Sequence, residues 1–181
     1  MTEWYFTSDT HFDHKNIVNF MDRQSNTVEE MNELMIERWN AKVRPGDVVY
    51  HIGDFSFGSK AKILEVIDRL NGQIHLIFGN HDSKIRDTAE LRAKFTSTDH
   101  FKTVKLDGHM ISMFHAPILE WPWMERGCIH LHGHTHGSLV TTDCRRIDVG
   151  VDTTADLTPI HWELIKERAL ALPIRTRPSK D

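Results

Sequence analysis

Thirteen histidines occur among the 181 residues, and several of them stand in short polar clusters with aspartate or asparagine. Imidazole nitrogens and carboxylate oxygens bind divalent transition metals, and histidine also transfers protons near neutral pH. These polar positions are Ser8-Asp9-Thr10-His11, Gly53-Asp54, Gly79-Asn80-His81-Asp82, His115 and Gly133-His134-Thr135-His136. None of them contains cysteine, which favours nitrogen and oxygen ligands over a thiolate zinc site. The residue types therefore predict a metal site.

An apolar run typical of a β-strand precedes each of these positions. The runs cover residues 4–8, 48–52, 74–78, 110–114 and 129–131. Loops that follow the carboxyl ends of strands in an α/β sheet meet at one edge, where ligands bind. The polar positions are therefore predicted to converge, although Asp9 and His136 lie far apart in the chain.

Helix and turn signals separate the predicted strands. Thr27 begins a capping box, and Ser59 can cap a second helix. Asp107-Gly108 favours a hairpin turn. Pro159 in a first helical turn predicts a last helix that starts near Thr158. Alternating strands and helices followed by a strand-rich half predict an α/β sandwich, with one or two sheets and helices packed outside.

The length and composition fit one domain, with 39% hydrophobic and 27% charged residues and no linker or repeat. We therefore predict a single domain over residues 1–172 and a frayed polar tail over residues 173–181. No apolar run approaches the roughly 18 residues that cross a bilayer. The first motif follows the N-terminus too closely for a signal peptide, so we expect no membrane association and a cytoplasmic location.

Seven candidate ligands are too many for one tetrahedral ion, so they suggest two ions with one carboxylate between them. They are Asp9, His11, Asp54, Asn80, His115, His134 and His136. Two ions about 3.5–4 Å apart can clamp a phosphate and hold a hydroxide for in-line attack. Nitrogen and oxygen ligands suit manganese, iron, zinc or nickel.

The ordered series Asp-x-His, Gly-Asp, Gly-Asn-His-Asp, His and Gly-His-x-His resembles the calcineurin-like metallophosphoesterases. The likeness runs from Asp9 to about Asp152, which is most of the chain. It implies a four-layer α/β/β/α sandwich of mixed β-sheets with flanking helices. It also implies two divalent metal ions, for which Mn²⁺ is expected and iron, zinc or nickel are alternatives.

The resemblance also implies a role for each matching residue. The first ion would be held by Asp9, His11 and His136, and the second by Asn80, His115 and His134, with Asp54 as the bridge. His81 would donate a proton to the leaving oxygen, and Asp82 would orient His81. The run Phe55-Ser56-Phe57-Gly58 departs from the family pattern, so Asp54 is the residue of this loop that is expected to contribute.

The expected activity is hydrolysis of phosphoester bonds by a metal-bridging hydroxide with His81 as the general acid. The chain lacks the long insertions that form caps in larger members, so the pocket is expected to be open, which favours a phosphodiester. The alternatives are a phosphomonoesterase acting on protein or nucleotide, or a scaffold subunit that binds metal without turnover. A small-molecule or nucleotide substrate is favoured. Nucleic acid is an open alternative that the net charge of −4 does not indicate. The oligomeric state is open.

Two features allow two interpretations, and five other residues are expected to be structural. His14 is either near the site or a capping or surface residue. His51, His130 and His132 are expected to be buried residues that support the strands. The Trp121-Pro122-Trp123 segment is either a packed loop or an apolar wall for a substrate or a subunit. Cys128 and Cys144 are expected to be inert packing residues.

Overall fold

The computed structural model describes residues 2–21 and 23–176 as nine strands and six helices. In chain order the elements are β1 Trp4–Thr7, α1 Ile17–Phe20, α2 Val28–Lys42, β2 Val48–His51, α3 Lys60–Arg69, β3 Gln73–Ile77, α4 Ser83–Asp87, α5 Ala89–Arg92, β4 Ser97–Asp99, β5 Lys102–Leu106, β6 His109–Met113, β7 Ile129–His132, β8 Arg146–Asp148, β9 Ile160–His161 and α6 Trp162–Leu170. Two short 3₁₀ turns lie at Met124–Arg126 and Val151–Thr153.

The strands form two mixed sheets. The first sheet has the order β4-β3-β2-β1-β9, and only β9 is antiparallel to its neighbour. The second has the order β5-β6-β7-β8, in which β5 and β6 form an antiparallel hairpin. Within the first sheet Thr7 is in register with His51, and His51 with Leu76, so three parallel strands end together. Their following loops therefore leave from one edge.

The first sheet has a hydrophobic core on each side. One core joins it to the apolar faces of α2 and α3, which contribute Met31, Trp39 and Ile63. The other joins it to the second sheet and to α6, so that Phe6 and Leu131 belong to the same buried cluster. A parallel bridge between Ser8 and Gly150 connects the two sheets near the ends of β1 and β8. The predicted α/β sandwich of two mixed sheets with flanking helices is confirmed.

Local signals explain where the main helices begin. The Thr27 hydroxyl accepts a hydrogen bond from the Glu30 amide at 3.1 Å, and Ser59 accepts one from the Lys62 amide at 3.3 Å. Both predicted caps are therefore correct, and each satisfies one amide that the first helical turn leaves without a partner.

In residues 2–21 and 23–176 no helix is both long and apolar enough to span a membrane.

The prediction of a last helix from Thr158 is wrong. Ile160 and His161 instead form β9, which pairs with Phe6 and Tyr5, and α6 begins only at Trp162. The strand binds the open edge of β1, and this long-range pairing outweighs the local helix signal of Pro159. The predicted frayed tail over residues 173–181 lies partly outside the described residues, which end at residue 176.

Candidate metal centre

The first ligand group consists of Asp9, His11 and His136, each of which offers a ligand atom within 4.8 Å of the others. Asp9 and His11 lie in the loop after β1, and His136 lies in the loop after β7. The Nε2 atoms of His11 and His136 are 3.8 and 3.9 Å from Asp9 Oδ1, so both rings point at the same carboxylate. The structure thus brings together the three residues predicted for the first ion.

The second ligand group contains Asp54, His115 and His134, whose ligand atoms also lie within 4.8 Å of one another. Asn80 belongs to the same group, because its amide oxygen is 3.0 Å from both His115 Nε2 and His134 Nδ1. His115 Nδ1 donates a hydrogen bond of 2.7 Å to the Ile52 carbonyl, which directs Nε2 towards the group. All four residues predicted around the second ion therefore converge.

Asp54 lies between the two groups. Its Oδ2 atom is 3.3 Å from His115 Nε2 in the second group and 3.8 Å from His11 Nε2 in the first. Its Oδ1 atom accepts a hydrogen bond from the His81 amide at 2.9 Å, which fixes the orientation of the carboxylate. This is the position that a bridging carboxylate requires.

Buried atoms without hydrogen bonds test whether these residues suit a cation. Within the described residues, Asp9 Oδ1 and both ring nitrogens of His11 are buried and have no hydrogen-bond partner. Leaving a buried polar atom unpaired is costly, and side chains that do so around one point commonly coordinate an ion. The donor set of oxygen and imidazole nitrogen fits a divalent transition metal.

The electrostatics of the centre agree with a cation site. Burial raises the pKa of Asp9 to about 7, because an ionised carboxylate is expensive away from water. Burial lowers the pKa of His11 to about 3, so its imidazole is neutral and able to coordinate. Burial opposes ionisation of Asp54 and His115, but their mutual hydrogen bond and charge outweigh it and set pKa values of about 2 and about 9. A divalent cation would replace the proton between these two residues.

Five proposed ligands adopt a left-handed backbone conformation that non-glycine residues rarely use. They are Asp9 (φ 57°), His11 (φ 49°), Asp54 (φ 57°), His134 (φ 68°) and His136 (φ 47°). Each such residue costs about 1–2 kcal/mol relative to ordinary backbone. Strain of this kind is concentrated at functional sites, where the surrounding structure enforces it.

Two glycines permit the loops to approach each other. A Cβ atom at Gly79 would collide with the Asp54 carboxylate, and one at Gly133 would collide with Ser8 Oγ and Asp9 Oδ2. Any larger residue at either position would displace a proposed ligand. These close approaches explain the glycines before Asn80 and His134 in the sequence motifs.

His81 lies beside the junction of the two groups. Its Nε2 atom is 4.0 Å from Asp54 Oδ2, and 45% of its side chain is exposed.

Asp82 differs from its predicted role. Its carboxylate accepts backbone hydrogen bonds from Gly79, Asp54 and Phe55 at 2.8–2.9 Å, and no bond joins it to the His81 ring in the described structure. Because these three amides occupy both oxygens of its carboxylate, Asp82 fixes the loops that carry Asp54 and His81.

Phe57 contacts the His81 ring in place of Asp82. The two ring centroids are 4.6 Å apart, and Phe57 also stacks on His14, with a centroid distance of 4.0 Å and an interplanar angle of 11°. The Phe57 ring also lies 5.3 Å from that of His11. The loop after Asp54 therefore does contribute to the site, contrary to the expectation from its departure from the family pattern. His14 also lies at the site, as a support for Phe57.

The remaining histidines and the tryptophan segment have structural contacts. His51 and His130 are buried, with Thr10 and Ser112 as hydrogen-bond partners. Trp121 is buried and its indole donates to the Cys128 carbonyl at 2.9 Å, whereas Trp123 is 49% exposed. The packed-loop interpretation therefore holds for Trp121. Both cysteines are buried and free.

Sequence reasoning missed two polar residues beside the first group. Asp152 Oδ2 accepts a hydrogen bond of 2.7 Å from His136 Nδ1, and it also forms an ion pair with the buried Arg23. Asp152 follows a strand, as the recognised aspartates do, so this signal was available. Arg23 lies in an irregular stretch between α1 and α2 where nothing in the pattern distinguishes it.

Comparison with known proteins places the chain in a family. The model of the calcineurin-like phosphoesterase superfamily domain matches residues 3–153. Uncharacterized protein MJ1445 of Methanocaldococcus jannaschii is 36% identical over 173 residues, which cover 91% of this chain and 90% of that protein.

Two solved structures share the fold. AQ665 of Aquifex aeolicus, a protein of unknown function, is similar with a TM-score of 0.72 and 25% identity, over 93% of this chain and all of that one. A structure described as a novel archaeal phosphodiesterase has a TM-score of 0.51 and 23% identity, with 82% of each chain covered.

Proposed function

We propose, from the premise that this chain belongs to the calcineurin-like phosphoesterase superfamily, that it hydrolyses phosphoester bonds with a dinuclear metal centre. The observation that carries the proposal is the position of Asp54 Oδ2 between the two ligand groups, 3.3 Å from His115 and 3.8 Å from His11. One carboxylate shared by two groups of ligands supports two adjacent ions better than one.

The proposed ligands would be divided between two ions. Asp9, His11 and His136 would hold one ion, Asn80, His115 and His134 the other, and Asp54 both. Two divalent ions would polarise the phosphate oxygens and supply an activated water as the nucleophile. Manganese is the ion we propose for the assay, since nitrogen and oxygen ligands without thiolate suit it.

His81 is the proposed general acid. Its ring lies next to the shared carboxylate and is 45% exposed, so it can reach both the centre and a bound substrate. A proton delivered from His81 to the leaving oxygen would prevent the build-up of an alkoxide charge. Phe57 restricts the ring from one side, while the hydrogen bond from the His81 amide to Asp54 Oδ1 fixes the backbone.

A phosphodiester is the favoured substrate class. Asn80, His81 and His134 are all exposed, so the centre faces solvent on the side of the second group. An open approach admits a phosphate that carries two substituents, whereas selection of a monoester benefits from an enclosed pocket. The phosphomonoesterase is the alternative that the same centre could support.

The test is hydrolysis of a chromogenic diester and the matching monoester by metal-stripped protein to which Mn²⁺ is added back. We expect activity that depends on Mn²⁺ and a kcat/KM that is higher for the diester. Asp54→Asn is the matched control, because it keeps the shape of the side chain and removes the bridging charge. Equal turnover by this variant would contradict the proposal, and a wild-type protein that binds two ions but cleaves neither ester would support the scaffold alternative.

A further inference from the structure

Arg23 is fully buried beside the first ligand group, where an arginine needs an unusually complete set of partners. Its five N–H donors all find acceptors. Nε and Nη2 reach the two oxygens of Asp152 at 3.0 and 2.7 Å. Nη2 also donates to the Asp9 carbonyl at 2.7 Å, and Nη1 donates to the Thr10 carbonyl at 2.5 Å. The fifth contact is with the sulfur of Met35 at 3.9 Å.

Asp152 extends this network to a proposed metal ligand. Its Oδ2 atom, already bound by Arg23, accepts the 2.7 Å hydrogen bond from His136 Nδ1. A proton on Nδ1 leaves the lone pair of Nε2 free, and Nε2 is the atom that faces Asp9 Oδ1 at 3.9 Å. A carboxylate behind a ligating histidine fixes the tautomer and the direction of the ring.

We infer that Arg23 and Asp152 are positioning residues that assemble the first ligand group before an ion binds. One guanidinium holds the backbone on which Asp9 and His11 take their left-handed conformations, and through Asp152 it aims His136. The second group has no contact with Arg23, so the effect should be confined to one ion. The inference rests on the proposed dinuclear centre, but it concerns metal binding and not turnover.

The experiment is an equilibrium titration with Mn²⁺, followed by electron paramagnetic resonance, of wild type, Arg23→Met and Asp152→Asn. It measures how many ions bind, the affinity of each ion and whether their spins are coupled. In wild type we expect two ions whose spins are coupled. In both variants the affinity of one ion should fall by about 10–100-fold while the other ion is unchanged. At intermediate Mn²⁺ the coupled signal should give way to the hyperfine pattern of an isolated ion.

Two further variants separate positioning from general stability. Lys42→Met is the matched control, because Lys42 pairs with Asp156 at 2.7 Å and so ties the same segment to α2 without touching a ligand. It should bind both ions as wild type does. Arg23→Lys keeps the charge beside Asp152 but cannot reach both carbonyls, so its loss should be smaller than that of Arg23→Met.

Unchanged affinity for both ions in Asp152→Asn, or an equal loss of both, would overturn the inference even if Arg23→Met failed to fold. A loss in Lys42→Met as large as in Arg23→Met would also overturn it. If wild type bound no Mn²⁺, the proposed function and this inference would both fail. If wild type bound two ions without cleaving any ester, selective loss of one ion in Asp152→Asn would still support the inference.

Discussion

The two ligand groups offer the same kinds of atoms but are built differently. In the first group the side chains of Asp9 and His11 are at most 4% exposed, and that of His136 is 22% exposed. A buried arginine and a buried aspartate stand behind them. In the second group His134 and Asn80 are exposed and contact each other, while the His115 ring is held by the carbonyl of Ile52, just after β2.

The difference suggests different tasks for the two ions. Ligands that are buried and held from behind lose little freedom on binding, which favours a tightly retained ion. Exposed ligands leave room for a substrate oxygen and allow exchange with solvent. We therefore expect the first ion to support the fold and the second ion to meet the substrate.

The largest effect is expected where the groups meet. Asp54→Asn removes the shared charge, so both ions should weaken and hydrolysis should fall by more than about 10⁴-fold, which corresponds to over 5 kcal/mol of transition-state stabilisation. Metal analysis together with steady-state kinetics measures both effects. A variant that retained one tightly bound ion and most of its activity would show that the groups do not depend on Asp54.

The next largest effect concerns the proposed acid. His81→Ala should retain both ions and lose roughly 10²–10⁴-fold in kcat, the range typical of proton donation to a leaving group. A diester with a very acidic leaving group needs little protonation, so the loss should shrink with such a substrate. If the loss were the same for all leaving groups, His81 would not be acting as an acid.

Removal of one ligand from each group would sharpen the comparison. His136→Ala should weaken the ion that supports the fold, whereas His134→Ala should weaken the exchangeable one. An ion present at 100 times its Kd adds about 2.7 kcal/mol of stability. Its loss should lower the melting temperature by roughly 5–10 °C for a chain of this size.

The expected order is therefore a large decrease for His136→Ala and a small one for His134→Ala, measured by thermal unfolding at fixed Mn²⁺. Metal-stripped samples of both variants are the control, and they should melt close to metal-stripped wild type. Equal decreases for the two variants would remove the distinction between the groups.

Phe57 tests whether an aromatic contact positions the ring of His81, the proposed general acid. Phe57→Ala frees one side of the His81 ring, so kcat should fall by about tenfold, or 1.4 kcal/mol, with little change in KM or metal content. Phe101→Ala is the control, since Phe101 is 38% exposed and Phe57 is 36% exposed. A tenfold loss in both variants, or in neither, would contradict a positioning role for Phe57.

The last prediction concerns His130, which lies outside both groups and shows what burial does to a histidine that is not a proposed ligand. Burial lowers its pKa to about 3, so the folded state binds fewer protons than the unfolded state below pH 6.5. Its contribution to stability is complete above pH 6.5 and is lost as the pH falls towards 3, by up to about 1.4 kcal/mol per pH unit.

His130→Gln can keep the bonds to Ser112 and Ile118 without titrating. The free energy of unfolding of this variant, measured by urea at pH 4.5 and 7, should therefore depend less on pH than that of wild type. His100→Gln, at an exposed position, is the control. Identical pH dependence in wild type and His130→Gln would show that the buried imidazole does not set the acid sensitivity.

The convergence of the ligands was predictable from the sequence, because strand ends and polar motifs are both local signals. Asp9, Asp54 and Asn80 each follow a parallel strand, and parallel strands in register necessarily release their loops at one edge. The caps at Thr27 and Ser59 were predictable for the same reason, since they depend on only a few neighbouring residues.

Other features depend on contacts between distant parts of the chain and could not be read locally. The role of Arg23 depends on Asp152, 129 positions away. Strand β9 forms because the edge of β1 is open, which no pattern within residues 158–161 encodes. Asp82 has the sequence position of a partner for His81, but only the folded loops reveal that three amides occupy its oxygens.

The most direct test of the central claim is the anomalous scattering of a crystal grown with Mn²⁺. The dinuclear account predicts two peaks about 3.5–4 Å apart, with Asp54 in contact with both, His11 beside one and His115 beside the other. A single peak, or two peaks that do not share Asp54, would contradict it.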